Sequence, residues 1–225
     1  MLLAIDIGNT NINMGVFDNE HLVATWRLAT DTQKLPDEYA LLIRSLLPLK
    51  GVDTEDIKSI SMCSVVPPLT QIFQDLSESF FSIPILVVGT GIKTGVRIQY
   101  ENPRDVGADR IVDAAAAYSL YGGPVIVVDF GTATVFDAIS KDGDYLGGAI
   151  ASGINLTAEA LYQRTSQLRR VELVAPKTAI GRNTTASIQS GILLDTLGWL
   201  KPWLIGSNVK WNQAPRLSLL EAWPR

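Results

Sequence analysis

Cysteine and histidine are almost missing from this chain: of 225 residues, Cys63 is the one cysteine and His21 the one histidine. A single cysteine cannot close an intrachain disulfide, which suits a reducing compartment, and a cytoplasmic protein is expected. Zinc sites built from His and Cys pairs cannot be assembled from one of each. Any His-dependent dyad or triad would have to use His21, which sits in the polar turn Asp18-Asn19-Glu20-His21, where exposure to solvent is the expectation. Charge of either sign is also sparse. Nineteen Lys and Arg against 23 Asp and Glu leave a net charge of −4, with 19% of residues charged. A nucleic-acid groove or a basic membrane face needs clustered Lys and Arg, so neither kind of partner is expected. The longest uncharged stretch, Ser59–Gln74, is too short to cross a bilayer and is broken by Pro67-Pro68. Met1–Ala4 runs straight into Asp6, without the basic and apolar regions of a signal peptide. Chemistry is left to carboxylates, hydroxyls, backbone amides and bound ions.

Hydrophobic residues make up 47% of the chain, ample for one large domain or two small ones. Leu2–Ile7 reads as a buried strand opening into Asp6-Ile7-Gly8-Asn9-Thr10, with further strands over Ile12–Phe17 and Leu22–Leu28. Pro36 begins a helical pattern through Leu47, where its missing amide is harmless. Ser59–Ser64 reads as a strand, Leu69–Phe81 as a helix, Ile83–Val88 as a strand and Val106–Tyr121 as a helix. At Pro124 the pattern restarts: Val125–Val128, the turn Asp129-Phe130-Gly131-Thr132, then Thr134–Ser140 and Tyr145–Ile150. Moving Asp6 onto Asp129 also sets Gly8 on Gly131, Asn9 on Thr132, Asn11 on Thr134 and Val16 on Ile139. A repeated supersecondary unit implies two similar α/β halves, each a β-meander followed by helices. The boundary is expected near Asp109–Tyr121, with one half over 1–112 and the other over 113–225.

Several nucleotide motifs fail on inspection. Gly89-Thr90-Gly91-Ile92-Lys93-Thr94 has Ile92 where a phosphate loop needs Gly, and no helix pattern follows. Asp129-Phe130-Gly131 spells a protein-kinase tripeptide, but His21 has no His-Arg-Asp context. The first turn lacks the glycine spacing of a dinucleotide fold. What remains is the doubled Asp-x-Gly turn. Glycine after a buried strand lets the backbone fold back and bring amides to an anion, Asn9, Thr10, Thr132 and Thr134 add neutral donors, and Asp6 and Asp129 can hold cations. The same turns would also serve as plain hairpin entries. Gly107-Ala108-Asp109-Arg110 opens a helix, either as a cap or as a carboxylate base beside a cation that grips an anionic substrate. Gly181-Arg182-Asn183-Thr184-Thr185 reads as a helix cap or as a ligand loop, and Tyr100 as packing at a strand end.

Five motifs then fall in order: Asp6-Ile7-Gly8-Asn9-Thr10; Asn102-Pro103-x-x-Val106-Gly107-Ala108-Asp109-Arg110; Asp129-Phe130-Gly131-Thr132-Ala133-Thr134; Gly147-Gly148-Ala149-Ile150-x-x-Gly153; and Ile180-Gly181-Arg182-Asn183-Thr184. Over Met1–Gly191 the chain resembles type III pantothenate kinase, of the acetate kinase, sugar kinase, Hsp70 and actin superfamily. The resemblance implies a duplicated ribonuclease-H-like fold and ATP-dependent phosphorylation of pantothenate at its 4′-hydroxyl, the first step of coenzyme A synthesis. It implies that Asp6, Ile7, Gly8, Asn9, Thr10, Asn11, Ile12 and Asn13 form the first phosphate loop and that Thr132 contacts ATP. By the same carry-over Asp6 orients Mg²⁺ through water, Asp129 binds a monovalent cation (K⁺ or NH₄⁺) and Asp109 is the base. Tyr100, Gly107, Ala108, Asp109, Arg110 and Thr184 hold pantothenate, Thr184 from the facing subunit of a homodimer. A catalytically impaired ATP-binding regulator and a superfamily kinase for another small alcohol are the alternative readings.

The tail breaks the pattern. Trp199, Trp203, Trp211 and Trp223 are four of the five tryptophans. The family's Gly-Tyr-x-Gly-Leu-Val-Glu helix and its adenosine-binding strand ending in Gly-Gly are missing. Allowed codons for Leu197–Asn208, read one base earlier, give Gly-Leu-Val-Glu-Ala-Met-Val-Asp-Arg-Ile-Lys, and Ser218–Trp223 can give Val-Ile-Ala-Gly-Gly-Leu-Ala. From about Leu193 the chain is therefore expected to be an out-of-frame reading of the family's C-terminus, leaving the second half incomplete, with weak ATP binding, slow or no turnover and a tendency to aggregate.

Overall fold

A computed structural model describes residues 1–89, 91–206 and 216–220, with side chains left undescribed at 199–206 and 216–220. The chain divides into two compact units, Met1–Val96 with Tyr100–Ala116, and Arg97–Gln99 with Ala117–Arg225.

In the first unit β1 (Leu2–Ile7), β2 (Asn11–Asp18) and β3 (His21–Ala29) form the meander, and α1 (Pro36–Leu46) leads to β4 (Ser59–Ser64). Then come α2 (Pro67–Leu76), a π-helical turn over Ser77–Phe81, and β5 (Ile85–Val88). The sheet order is β3-β2-β1-β4-β5, with β1 antiparallel to β2 and parallel to β4. Strand alternation splits β1 cleanly: Leu3, Ile5 and Ile7 are buried in a core with Tyr39, Ile43, Leu69 and Phe73 of the two helices. Each such side chain contributes about 1.5–3 kcal/mol. Tyr39 and Phe73 stack at 5.0 Å between ring centres, and the Tyr39 hydroxyl donates to the Asp31 carbonyl at 2.9 Å. Glu38 closes the start of α1 by accepting from the Leu35 amide at 2.8 Å. The other face of the sheet carries the alternate, small or polar residues, Ala4 and Asp6 among them.

In the second unit a two-residue β6 (Arg97–Ile98) precedes α3 (Ala108–Tyr121), inside which the units divide. The meander returns as β7 (Val125–Phe130), β8 (Ala133–Ile139) and β9 (Asp144–Ser152), followed by α4 (Ile154–Arg164), α5 (Thr184–Gly206) and β10 (Arg216–Leu220). The order is β10-β7-β8-β9-β6, with β10 parallel to β7 as β4 is to β1. The fold is therefore the expected duplicated α/β architecture. An offset of 123 positions (129 − 6) carries Leu2–Ile7 onto Val125–Phe130 and His21–Ala29 onto Asp144–Ser152.

One detail of the repeat differs. Ile7 pairs with Ile12 in the first hairpin, whereas Phe130 pairs with Thr134 in the second, so the second loop is one residue shorter. Ile12, not Asn11, is the counterpart of Thr134, and Val16 matches Ala138 rather than Ile139. The offset returns to 123 in the third strands, and both ladders carry a register shift at the same place, Val16/Phe17 and Ala138/Ile139. Leu69–Phe81 is also not one helix, because α2 ends at Leu76 and the π turn follows.

His21 is exposed, as its turn implies. Among the described residues no helix is long and apolar enough to cross a membrane. Of the suspected out-of-frame tail, Leu193–Gly206 continues α5 and Arg216–Leu220 forms β10, while 207–215 and 221–225 lie outside the described residues.

Candidate active site

Asp6 stands near the end of β1 on the sheet's polar face, where register sets its neighbours: Asn13 opposite on β2, Cys63 on β4, and Arg27 beyond Asn13 on β3. The side chains use that row. Asn13 Nδ2 donates to Asp6 Oδ2 at 3.0 Å, Cys63 Sγ donates to Asp6 Oδ1 at 3.2 Å, and Arg27 Nε donates to Asn13 Oδ1 at 3.1 Å. Burial raises the Cys63 thiol far above its ordinary pKa, and the carboxylates of Asp6, Asp109 and Asp113 push it the same way. Cys63 thus stays a neutral donor, and each Asp6 oxygen is held by one hydrogen bond with lone-pair capacity to spare. The row borders a groove of about 770 Å³ lined also by Ala4, Trp26 and Val112.

The loop after Asp6 is shaped from within. The Gly8 amide donates to the Asn11 carbonyl at 2.9 Å, and Thr30 ties the loop down through its hydroxyl to Gly8 (2.6 Å) and its amide to Thr10 (3.0 Å). Ile7 and Ile12 are buried and brace the hairpin, while Asn9, Thr10 and Asn13 are exposed and Gly8 and Asn11 half-buried.

Gly107–Arg110 opens α3 in the same unit. Asp109 Oδ1 accepts from the Arg110 amide at 2.8 Å, a local capping bond, and its carboxylate lies so close to Gly107 that a Cβ there would collide with it. Arg110 is buried, Val106 packs beneath the turn, and Tyr100 and Ala108 are half-buried. Just upstream, Asn102 donates to Asp105 at 2.8 Å and accepts from the Arg104 amide at 3.3 Å, fixing the approach to the helix. The first unit thus holds Asp6 against Cys63, and the Asp109 carboxylate acts on the same thiol electrostatically.

In the second unit the Asp129 carboxylate lies beside Gly131, and the Gly131 amide donates to the Ala133 carbonyl at 3.0 Å. The Gly153 amide donates to the Thr132 carbonyl at 3.1 Å, and a Cβ at Gly153 would strike the carbonyls of both Gly131 and Thr132. This close approach explains the last glycine of the Gly147–Gly153 motif. Thr132 is exposed. Thr184 opens α5 and is exposed, while Asn183 Oδ1 caps that helix by accepting from the Ala186 amide at 2.8 Å.

Sequence reasoning missed Cys63 and Arg27 as members of the Asp6 row. Arg27 is reachable from the sequence by counting the meander. Cys63, 57 positions from Asp6, has no local cue.

The family model for type III pantothenate kinase matches residues 2–202. The chain is 53% identical over 198 residues to a type III pantothenate kinase of Moorella thermoacetica, covering 88% of this chain and 78% of the relative. It is 48% identical over 217 residues to one of Geobacter sulfurreducens, covering 96% and 85%. A putative 2-dehydro-3-deoxygalactonokinase from Sinorhizobium meliloti superposes with a TM-score of 0.51 at 12% identity, over 89% of this chain and 81% of that one, a likeness of fold.

Proposed function

We propose, for a chain that belongs to the type III pantothenate kinase family, that it transfers the γ-phosphoryl group of ATP to the 4′-hydroxyl of pantothenate, the first step of coenzyme A synthesis. The observation that carries this reading is Asp6, held by Asn13 and Cys63 at the edge of the groove, in the same unit as Asp109 at the start of α3. Asp109 accepts the hydroxyl proton. The freed oxygen pair forms a bond to the γ-phosphorus as the bond to the bridging oxygen breaks and ADP leaves. The proton moves late, so Asp109 needs no special basicity. Gly107, Ala108, Asp109, Arg110 and Tyr100 hold pantothenate, whose carboxylate calls for a cation such as Arg110.

A kinase of this family works with ATP and a divalent metal. The spare lone pairs of Asp6 fit an outer contact to Mg²⁺ through water, and the loop of Gly8–Asn13 offers short neutral side chains to phosphate oxygens. In the second unit Thr132 contacts ATP. Asp129 with the neighbouring carbonyls of Gly131 and Thr132 is a hard-oxygen set suited to K⁺ or NH₄⁺, which offsets phosphate charge when bound. The exposure of Thr184 supports its reaching pantothenate in a facing subunit, and hence a homodimer, which light scattering on the purified protein tests. A thiol that must stay reduced to hold Asp6 supports a cytoplasmic location.

The tail is proposed to be out of frame, supported by its tryptophan-rich composition. Sequencing the gene tests it, and a continuous natural frame through Arg225 overturns it. Coupled ADP release with ATP, Mg²⁺, K⁺ and pantothenate tests the activity. Release that does not depend on pantothenate contradicts it.

A further inference from the structure

Asp6 lies at the edge of the groove, bonded to Cys63, and the phosphate loop from Gly8 to Asn13 holds no charge to offset it. A nucleoside triphosphate adds several more negative charges. Of the side chains lining the groove, Arg27 is the one cation. It projects from β3 two strands away from Asp6, and register places it beside Asn13, the last residue of the loop. Its Nε donates to Asn13 Oδ1 at 3.1 Å while the Asn13 amide donates to Asp6 at 3.0 Å. One amide group thus links the guanidinium to the carboxylate that anchors the loop. Arg27 is exposed, and among the described residues it makes no ion pair and no other hydrogen bond. Its terminal N–H groups remain available, and their planar fork matches two phosphate oxygens.

The geometry points to Arg27 as a phosphate-contacting residue of the first loop, with Asn13 as the residue that positions it. This rests on the kinase reading for its ligand, an adenine nucleotide, but not on the identity of the alcohol. Asn13 fixes the guanidinium at the mouth of the loop, so the cation reaches the terminal phosphates rather than the nucleoside. Lysine at the same place would supply the charge without the fork and without the Nε bond to Asn13.

Titration calorimetry with Mg·ATP, Mg·ADP and adenosine on the whole chain, with thermal unfolding alongside, tests this. R27Q and R27M both remove the charge, and either one that folds suffices. R27K restores the charge. R44Q, on the outer side of α1, makes the same change in net charge far from the groove. The charge-removing variants are expected to bind Mg·ATP on the order of 10²-fold more weakly. They should lose less for Mg·ADP and nothing for adenosine, at an unchanged midpoint of unfolding. R27K should recover part of the loss, and R44Q should match the parent. Where turnover is measurable, KM for pantothenate should not move. The inference is overturned by R27Q or R27M binding Mg·ATP like the parent, by an equal loss for adenosine, or by the same loss in R44Q. Where the chain as it stands binds too weakly to titrate, the same series is run with the displaced frame restored, and a restored parent that binds no nucleotide sinks the kinase reading and Arg27 with it. A parent that binds ATP but phosphorylates a different alcohol fails the pantothenate reading alone, and the binding series still decides Arg27.

Discussion

Asp6 and Asp129 occupy the same place in the two halves, on the first strand of each meander, yet their rows differ. Across the ladder from Asp6 stand Asn13 and then Arg27; across from Asp129 stand Val135 and then Ile150. One half sets hydrogen-bond donors across the ladder from its carboxylate; the other sets apolar residues there, beside a tight glycine turn. A duplicated scaffold thus sets polar residues opposite one carboxylate and apolar residues opposite the other, a difference that the cation role proposed for Asp129 would use. The difference comes from two cross-strand positions and a loop one residue shorter, not from a change of fold.

The largest expected effect falls in the first half. In the chain with the displaced frame restored, Asp109→Asn should lower kcat by on the order of 10²–10⁴-fold while ATP binding, measured by calorimetry, stays near the parent's. Near-normal turnover would remove Asp109 from the proton-accepting role. Next comes the second half's carboxylate: Asp129→Ala should abolish activation in a K⁺ titration, with the Mg²⁺ dependence retained. An unchanged K⁺ curve would erase the distinction drawn between the two carboxylates.

Glycines packed on the two loops allow a further comparison. Gly153→Ala forces a Cβ against two carbonyls and should destabilise by about 1–3 kcal/mol in denaturant unfolding. Gly8→Ala, whose Cβ would sit 3.2 Å from the Asn11 carbonyl, should lose less than about 1 kcal/mol. Equal losses would mean that Gly153 approaches the second loop no more closely than Gly8 approaches Asn11 in the first. The smallest effect concerns Thr134, whose hydroxyl is buried without a hydrogen-bond partner among the described residues, while its counterpart Ile12 is apolar. Thr134→Val should be neutral or stabilise by up to about 1 kcal/mol. A clear loss would reveal a partner for that hydroxyl.

The strands of both meanders were legible because apolar alternation and the doubled Asp-x-Gly turn are local patterns. The shorter second loop was not, since removing one turn residue leaves the apolar pattern of the flanking strands intact. Helix α4 gave no periodic cue, for it has no buried residue to impose one. At the site, Asp6, Asp109 and Asp129 stood out in motifs, but the donors that hold Asp6 did not. Cys63 reaches Asp6 through a parallel pairing made after a helical crossover, and nothing in residues near Asp6 encodes that register.

The most direct test of the account is transfer of labelled γ-phosphate from ATP to pantothenate, followed by product identification, for this chain and for one with the displaced frame restored. The account predicts 4′-phosphopantothenate from the restored chain in the presence of Mg²⁺ and K⁺, little or none from the chain as it stands, and loss of product in either on Asp109→Asn. Equal, full activity from both chains would contradict the reading of the tail. A restored chain that binds ATP yet labels another alcohol in preference to pantothenate would contradict the central claim.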